Sequence, residues 1–419
     1  MKLNQLYVAT LTTILPATSI FAAALESSNQ SISAFLEPGN YIEAGFNVID
    51  YNISGKTTTN TVGFTSSTST KDKDLGKVDS TLTTPNFAVK TQINDQFSVG
   101  LIYDKPFAAD INYKNARTYL ATSNVNFKTK LDIDSNNIAL LVGYKPHDHI
   151  QLYAAPVYQQ IKGTLNGYGT HTRLLSTDSG NYYLSKFKND DAYGWLVGLA
   201  FDNNDLKANI TYRSKINHEF KTKEGIRESV AVMPNAVYSA IPNHSNITTP
   251  QSANLDISKK ITESTTTSLN IRWVDWSNFE LYLPYYKAKT GLQLAHPNTI
   301  GLEGGYDPIS YEKDQWSINL GVDQKLNDKW KINASLGWDS GVGEYISHYT
   351  PINGSWNAGL GVQFSPASNY FVQTGFKYIW LDDVKGQHSK QIAQNSSQYD
   401  TEFKENYALS YDFKIGYRF

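Results

Sequence analysis

The stretch YALSYDFKIGYRF, Tyr407–Phe419, places apolar side chains at every odd position: Tyr407, Leu409, Tyr411, Phe413, Ile415, Tyr417 and Phe419. Between them stand small or polar residues, Asp412, Lys414 and Arg418 among them. Successive side chains of a strand point to opposite faces, so this segment has one greasy, aromatic face and one polar face. A soluble sandwich or soluble barrel also alternates in this way. A strand that is long, strictly two-faced and closes the chain on an aromatic suits a barrel crossing a bilayer, provided the pattern repeats.

It does repeat. Working back from the C-terminus, the pattern recurs through Tyr370 to Trp380, Trp356 to Phe364, Trp330 to Trp338 and Trp316 to Val322. Further upstream come Leu269 to Trp273, Ala253 to Ile257, Leu206 to Tyr212, Tyr193 to Phe201, Ile150 to Gly163 and Ile138 to Tyr144. The first three strands are Phe97 to Tyr103, about Thr84 to Ile93, and about Tyr41 to Ile53. With the opening stretch this predicts fourteen strands, an all-β antiparallel transmembrane barrel. Tight turns such as Asn94-Asp95 and Asn327-Asp328 alternate with long polar connections, which assigns the turns and both termini to the periplasm and seven long loops to the outside.

Composition agrees. No run of eighteen apolar residues follows the N-terminus and mean hydropathy is −0.42, which excludes a helical membrane protein but not a barrel. The 28 Tyr and 8 Trp exceed what an ordinary core needs and suit interfacial girdles. The absence of cysteine fits an exported chain. A net charge of −2 gives no reason to expect nucleic acid. Lys2, the apolar Leu6 to Phe21 and the small Ala22-Ala23-Ala24 read as a signal peptide over 1–24, cleaved after Ala24. Residues 25–40 then form a short N-terminal plug or tail, and 41–419 the barrel.

Several separated segments resemble the FadL family of outer-membrane transporters for long-chain fatty acids and aromatic hydrocarbons (the OmpP1/FadL/TodX type). They are Ala44-Gly45 with Ile49-Asp50 and Ile53-Ser54-Gly55; Ile93-Asn94-Asp95-Gln96-Phe97; Thr211-Tyr212-Arg213-Ser214; Trp276-Ser277-Asn278-Phe279; and Asp328-Lys329-Trp330 running to Trp338-Asp339-Ser340. Their order along nearly the whole barrel carries the resemblance. It implies passive uptake of hydrophobic ligands past the lipopolysaccharide layer by a barrel whose other partners are outer-membrane lipid and lipopolysaccharide, without cofactor, metal or catalysis. One departure stands out: the family's longer N-terminal hatch and its Asn-Pro-Ala motif are missing, leaving only Leu25 to Asn40.

The candidate site residues fall in four groups. Leu174, Leu175, Tyr183 and Phe187 in the third long loop, and Val232, Met233 and Tyr238 in the fourth, are apolar where outer loops should be polar, so they either cover each other or dock something greasy. Val274 and Trp276 fall on the face opposite Ile271 and Trp273 and would line a lumen suited to an acyl chain or ring; the alternative is a girdle aromatic displaced by a bulge. Arg213, Arg272 and Lys377 have inward parity and could meet a carboxylate, or belong to a luminal charge network. Lys162 is added because the resemblance puts it near the family's head-group region, with Gln160 in place of a basic residue. Pro106 cannot donate to a ladder and marks a bulge or the end of pairing; the resemblance makes it a lateral gate.

His147-Asp148-His149 reads as a polar turn rather than a metal site. The C-terminal strand ending in Phe419 is the signal expected for the barrel-assembly machinery. A general porin, a surface adhesin and, more remotely, a barrel hydrolase remain the alternatives.

Overall fold

The structure is a computed structural model that describes residues 24–58, 74–113, 129–168, 182–227, 241–294, 305–387, 399 and 401–419. The stretch read as a signal peptide, apart from Ala24, lies outside them.

Strands run in chain order. The first seven are β1 (Tyr41–Thr57), β2 (Asp74–Gln92), β3 (Phe97–Asp104), β4 (Ala108–Tyr113), β5 (Lys130–His147), β6 (Ile150–Tyr168) and β7 (Tyr182–Asp202). Then come β8 (Leu206–Arg213), β9 (Ile216–Arg227), β10 (Ile241–Thr249), β11 (Ser252–Lys260), β12 (Thr265–Val274) and β13 (Gln315–Lys325). The last are β14 (Trp330–Asp339), β15 (Tyr345–Ser347), β16 (Ser355–Ala367), β17 (Tyr370–Leu381), β18 (Val384–Gln387), β19 (Thr401–Phe403) and β20 (Tyr407–Arg418). Among the described residues there are also two short helices, α1 (Ser33–Leu36) before β1 and α2 (Pro284–Leu294) between β12 and β13.

Fourteen staves close into an antiparallel barrel, as the sequence predicts. β3 with β4, β8 with β9, and β10 with β11 each make one interrupted stave. The seam joins β1 to β20 from Tyr41↔Arg418 to Asn52↔Tyr407. Closure pairs the backbone groups that hydrocarbon could not satisfy. The turns are made by side chains: Asn94 Oδ1 accepts from the Gln96 and Phe97 amides at 2.9 and 2.8 Å, and Asn327 Oδ1 from those of Lys329 and Trp330 at 2.9 and 3.0 Å.

The staves are longer than the sequence pattern suggests, and the reason is a change of parity. In β1, Phe46 points outward to lipid, whereas Ile49, Tyr51 and Ile53 are buried inside. In β5, Leu140, Val142 and Tyr144 are exposed, but Leu131 and Ile133 face inward. Below the outer interface the apolar residues face lipid; above it the surroundings are polar and the apolar residues turn to the lumen. A single alternating template therefore loses each strand where its greasy face changes sides. The same error places Tyr183 and Phe187 in a loop, when both lie on β7 with buried, inward side chains.

Candidate functional site

The outer half of the lumen is filled by apolar side chains. Trp276, in the turn after β12, is fully buried, and its indole Nε1 donates to Gln315 Oε1 at 2.7 Å. Around it stand Phe279, Tyr311 and Phe107, with ring centroids 5.1, 5.2 and 5.9 Å away and all three edge-on. Val274 is buried beside them, so both residues of this pair are luminal, and the bulged-girdle alternative is excluded. Burial pushes the Tyr311 and Tyr286 phenols well above their ordinary range, so both stay neutral. Helix α2 roofs this core. Its Tyr286 amide donates to the buried Glu224 carboxylate at 3.2 Å, and the Tyr183 hydroxyl donates to the same oxygen at 2.7 Å. An anion at the first turn of a helix matches the helix dipole.

The wall breaks at Pro106. β2 pairs with β3 as far as Phe87↔Tyr103 and with β4 only at Asp79↔Asn112 and Val78↔Tyr113. Ser80 to Asn86 therefore have no strand partner on that side, although β1 pairs them on the other. Three residues between β3 and β4, Lys105 to Phe107, stand opposite two on β5, Ser135 and Asn136. The extra residue bends the stave there, as a bulge does. Ser135 holds the bend, accepting from the Phe107 amide at 2.9 Å and donating to the Phe107 carbonyl at 2.6 Å. A cavity of about 110 Å³ passes through this place, lined by Asn47, Asp412 and Lys414 from the lumen and by Phe46, Phe87 and Phe413 from the lipid face.

Residues 24–40 lie inside the barrel and cover the break. The Ser27 amide donates to the Pro106 carbonyl at 2.8 Å, and the Ala108 amide to the Leu25 carbonyl at 3.0 Å. Ser28 Oγ donates to Asp104 Oδ2 at 2.8 Å. Phe35 sits on two inward glycines: a methyl group at Gly100 would lie 2.6 Å from its Cδ2, and one at Gly143 would lie 2.9 Å from its Cζ.

The inward cations meet this segment. Arg272 is buried and pairs with Glu26, while its Nη2 also donates to Gln30 Oε1 at 3.1 Å. Arg213 Nη2 donates to the Gln30 carbonyl at 2.6 Å. Lys377 is buried in the lumen on β17, within the field of Asp412. Arg213 and Arg272 thus stand together at Gln30, and Lys377, also inward, stands apart from them. Lys162 is a correction. It points outward, half exposed, with its ammonium 3.4 Å from Asp134 Oδ2. Gln160 shares that outward face and donates to Asp191 Oδ1 at 2.9 Å. On β6 the inward residues are Gln159 and Ile161, so no carboxylate in the lumen can reach Lys162.

Leu174, Leu175, Val232, Met233 and Tyr238 lie outside the described residues. Sequence reading missed Phe107, Ser135 and Glu26. The signals were there: an aromatic directly after the strand-breaking proline, and a lone acid just past the leader with arginines of inward parity to receive it.

A family model described as outer membrane protein transport protein (OMPP1/FadL/TodX) matches residues 23–419. No curated protein matches the chain in sequence. Among solved structures it is similar to a Pseudomonas aeruginosa FadL homologue, with TM-score 0.68 and 15% identity over 92% of each chain. It is also similar to the toluene transporter TodX of P. putida, with TM-score 0.62 and 11% identity over 92% of this chain and 91% of that one. The CymD monoaromatic hydrocarbon channel follows at TM-score 0.53 and 12% identity, over 91% and 88%. At these identities the likeness speaks for the fold, and the family match across the whole barrel speaks for descent. The chain belongs to the OMPP1/FadL/TodX family of outer-membrane transport proteins, and its barrel is one of the Gram-negative outer membrane.

Proposed function

We propose that the barrel is a passive channel for hydrophobic small molecules, which leave it sideways through the wall. The observation that carries this reading is the break opposite Ser80 to Asn86, with a cavity bounded by lumen and lipid-facing side chains together. An aqueous pore has no use for a gap in its wall; a molecule soluble in hydrocarbon does. Ligand docks first among the outer loops, a step for which Leu174, Leu175, Val232, Met233 and Tyr238 are candidates by sequence alone. It then passes into the aromatic shell of Trp276 and Val274. Residues 25–40 act as the plug and must shift before the break beside Pro106 is reached.

Long-chain fatty acids are the first substrate class. Glu26 presents a carboxylate to Arg272 in the resting barrel, and the carboxylate of an acyl chain would compete for that cation beside Arg213. Monoaromatic hydrocarbons are the second, favoured by the edge-on rings around Trp276, a geometry that a further ring can join. Assembly into the membrane would be directed by the C-terminal strand, where Phe419 stacks on Tyr417 with centroids 6.0 Å apart.

Planar-bilayer conductance with and without oleate or toluene tests the reading. Small currents, together with saturable uptake of one ligand by cells carrying the channel, are expected. Large steady currents that ignore both ligands would make this a porin.

A further inference from the structure

The outer surface of the barrel carries charge where the strands rise above the membrane. On β7 the inward residues Tyr183, Ser185 and Phe187 are buried, so Lys186 between the last two points out, and Lys188, in the bulge just past Phe187, is exposed as well. On β9 the inward residues Phe220, Thr222 and Glu224 are buried, and Lys221 and Lys223 point out in the same way. The register brings these lysines together. Lys186 is the direct cross-strand partner of Lys223, and Lys221 that of His244 on β10.

Direct cross-strand neighbours have Cβ atoms about 4.5–5.5 Å apart, and like charges there are destabilising. No ion pair within the described residues relieves Lys186, Lys188, Lys221 or Lys223. Outward acids lie near: Asp132 and Asp134 on β5 are already paired with Lys130 and Lys162, and Asp191 and Glu219 lie lower on the same strands as the lysines. Asp191 is already bonded by the Tyr158 hydroxyl at 2.7 Å. Four ammonium groups are thus held on one face by a register that the buried residues behind them enforce. An external anion would remove the repulsion.

The height of the patch says which anion. Tyr193 and Trp195, both exposed and facing outward on β7, mark the outer interface. Lys188 stands five residues further up the strand, across a bulge, roughly 10 Å above Tyr193 for a tilted strand. That level holds the phosphorylated sugars of the outer leaflet rather than acyl chains or bulk water. We propose that Lys186, Lys188, Lys221 and Lys223 form a docking site for the phosphates of a lipopolysaccharide headgroup. The glycolipid binds on the outside of the stave pair β7–β9, away from the lumen and from any transported ligand.

The test uses the full-length barrel in detergent, titrated with bisphosphorylated lipid A, with its dephosphorylated form and with inorganic phosphate, and read by native mass spectrometry. Bisphosphorylated lipid A is expected to bind at least about tenfold more tightly than the dephosphorylated form, with the preference lost as salt is raised. The Lys186→Gln/Lys188→Gln/Lys221→Gln/Lys223→Gln variant should lose that preference, and the corresponding arginine variant should keep it. Folding is checked by the shift between heated and unheated samples on a gel. If the fourfold variant does not fold, Lys186→Gln/Lys223→Gln replaces it. Equal binding of both lipid A forms by the wild type, or undiminished preference in a folded glutamine variant, would overturn the proposal. Tight binding of inorganic phosphate alone would overturn it too, by assigning the patch to a free anion.

Discussion

Phe107 and Trp276 meet edge to face, ring centroids 5.9 Å apart and planes at 85°. Phe107 comes from the broken third stave and Trp276 from the turn after the ninth, so the two rings reach toward each other nearly across the lumen. The contact ties the wall break to the apolar core. Whatever moves Phe107 alters both.

Phe107→Ala should remove that contact. Loss of a buried phenylalanine typically costs about 3–5 kcal/mol, much of it as cavity. Unfolding in urea should shift to lower denaturant, and single-channel current should rise. An unchanged current would mean that residues 24–40 alone close the lumen.

Glu26→Gln should loosen the N-terminal segment. Removing one partner of a buried ion pair leaves the other charge uncompensated, at a cost of about 3–5 kcal/mol. The segment should become open to protease from the periplasmic side, and Glu26→Gln/Arg272→Gln should be less affected than Glu26→Gln alone.

Lys162→Ala should leave ligand uptake per folded barrel unchanged, because its ammonium lies outside the wall against Asp134. An exposed pair of this kind contributes at most about 1 kcal/mol. Trp276→Ala should lower uptake severalfold. A loss of uptake in the Lys162 variant would return that residue to the transport path.

The outer cap joins β15 to β18, and Lys385 holds the Glu344 carboxyl below its usual range, their atoms 2.6 Å apart. A carboxylate so depressed stabilises the cap above the ordinary glutamate range, and the contribution disappears as pH falls through the lowered value. Glu402 is depressed in the same direction by Lys404. Amide exchange at Tyr345–Ser347, taken relative to the intrinsic rate at each pH, should therefore quicken in the wild type as pH falls below the ordinary glutamate range. In Glu344→Gln it should be faster at neutral pH and depend less on acid.

The barrel was legible because lipid imposes one rule on every stave: Tyr411, Phe413 and Ile415 face out in β20, and Leu320 and Val322 do so in β13. Turn chemistry fixed the strand count, since Asn94 and Asn327 bond the backbone two and three residues on. The upper staves were not legible, because Ile49, Tyr51, Leu131 and Phe187 obey the opposite rule. Arg213 and Arg272 were found by parity, but parity cannot tell a ligand's carboxylate from that of Glu26. Lys162 was placed by resemblance against its own parity, and its parity was right. Helix α2 escaped because its side chains show no strong apolar stripe, and a buried carboxylate from another strand anchors it.

The exchange of faces along each stave also bears on assembly. A strand slipped by one residue would present Asn47, Ser410 and Lys414 to acyl chains at one end and Ile49, Tyr51 and Leu131 to the saccharide layer at the other. Two solvents of opposite preference, stacked along a single strand, would reject the same mistake. Correct pairing can thus be proofread without any sequence-specific contact between neighbouring strands.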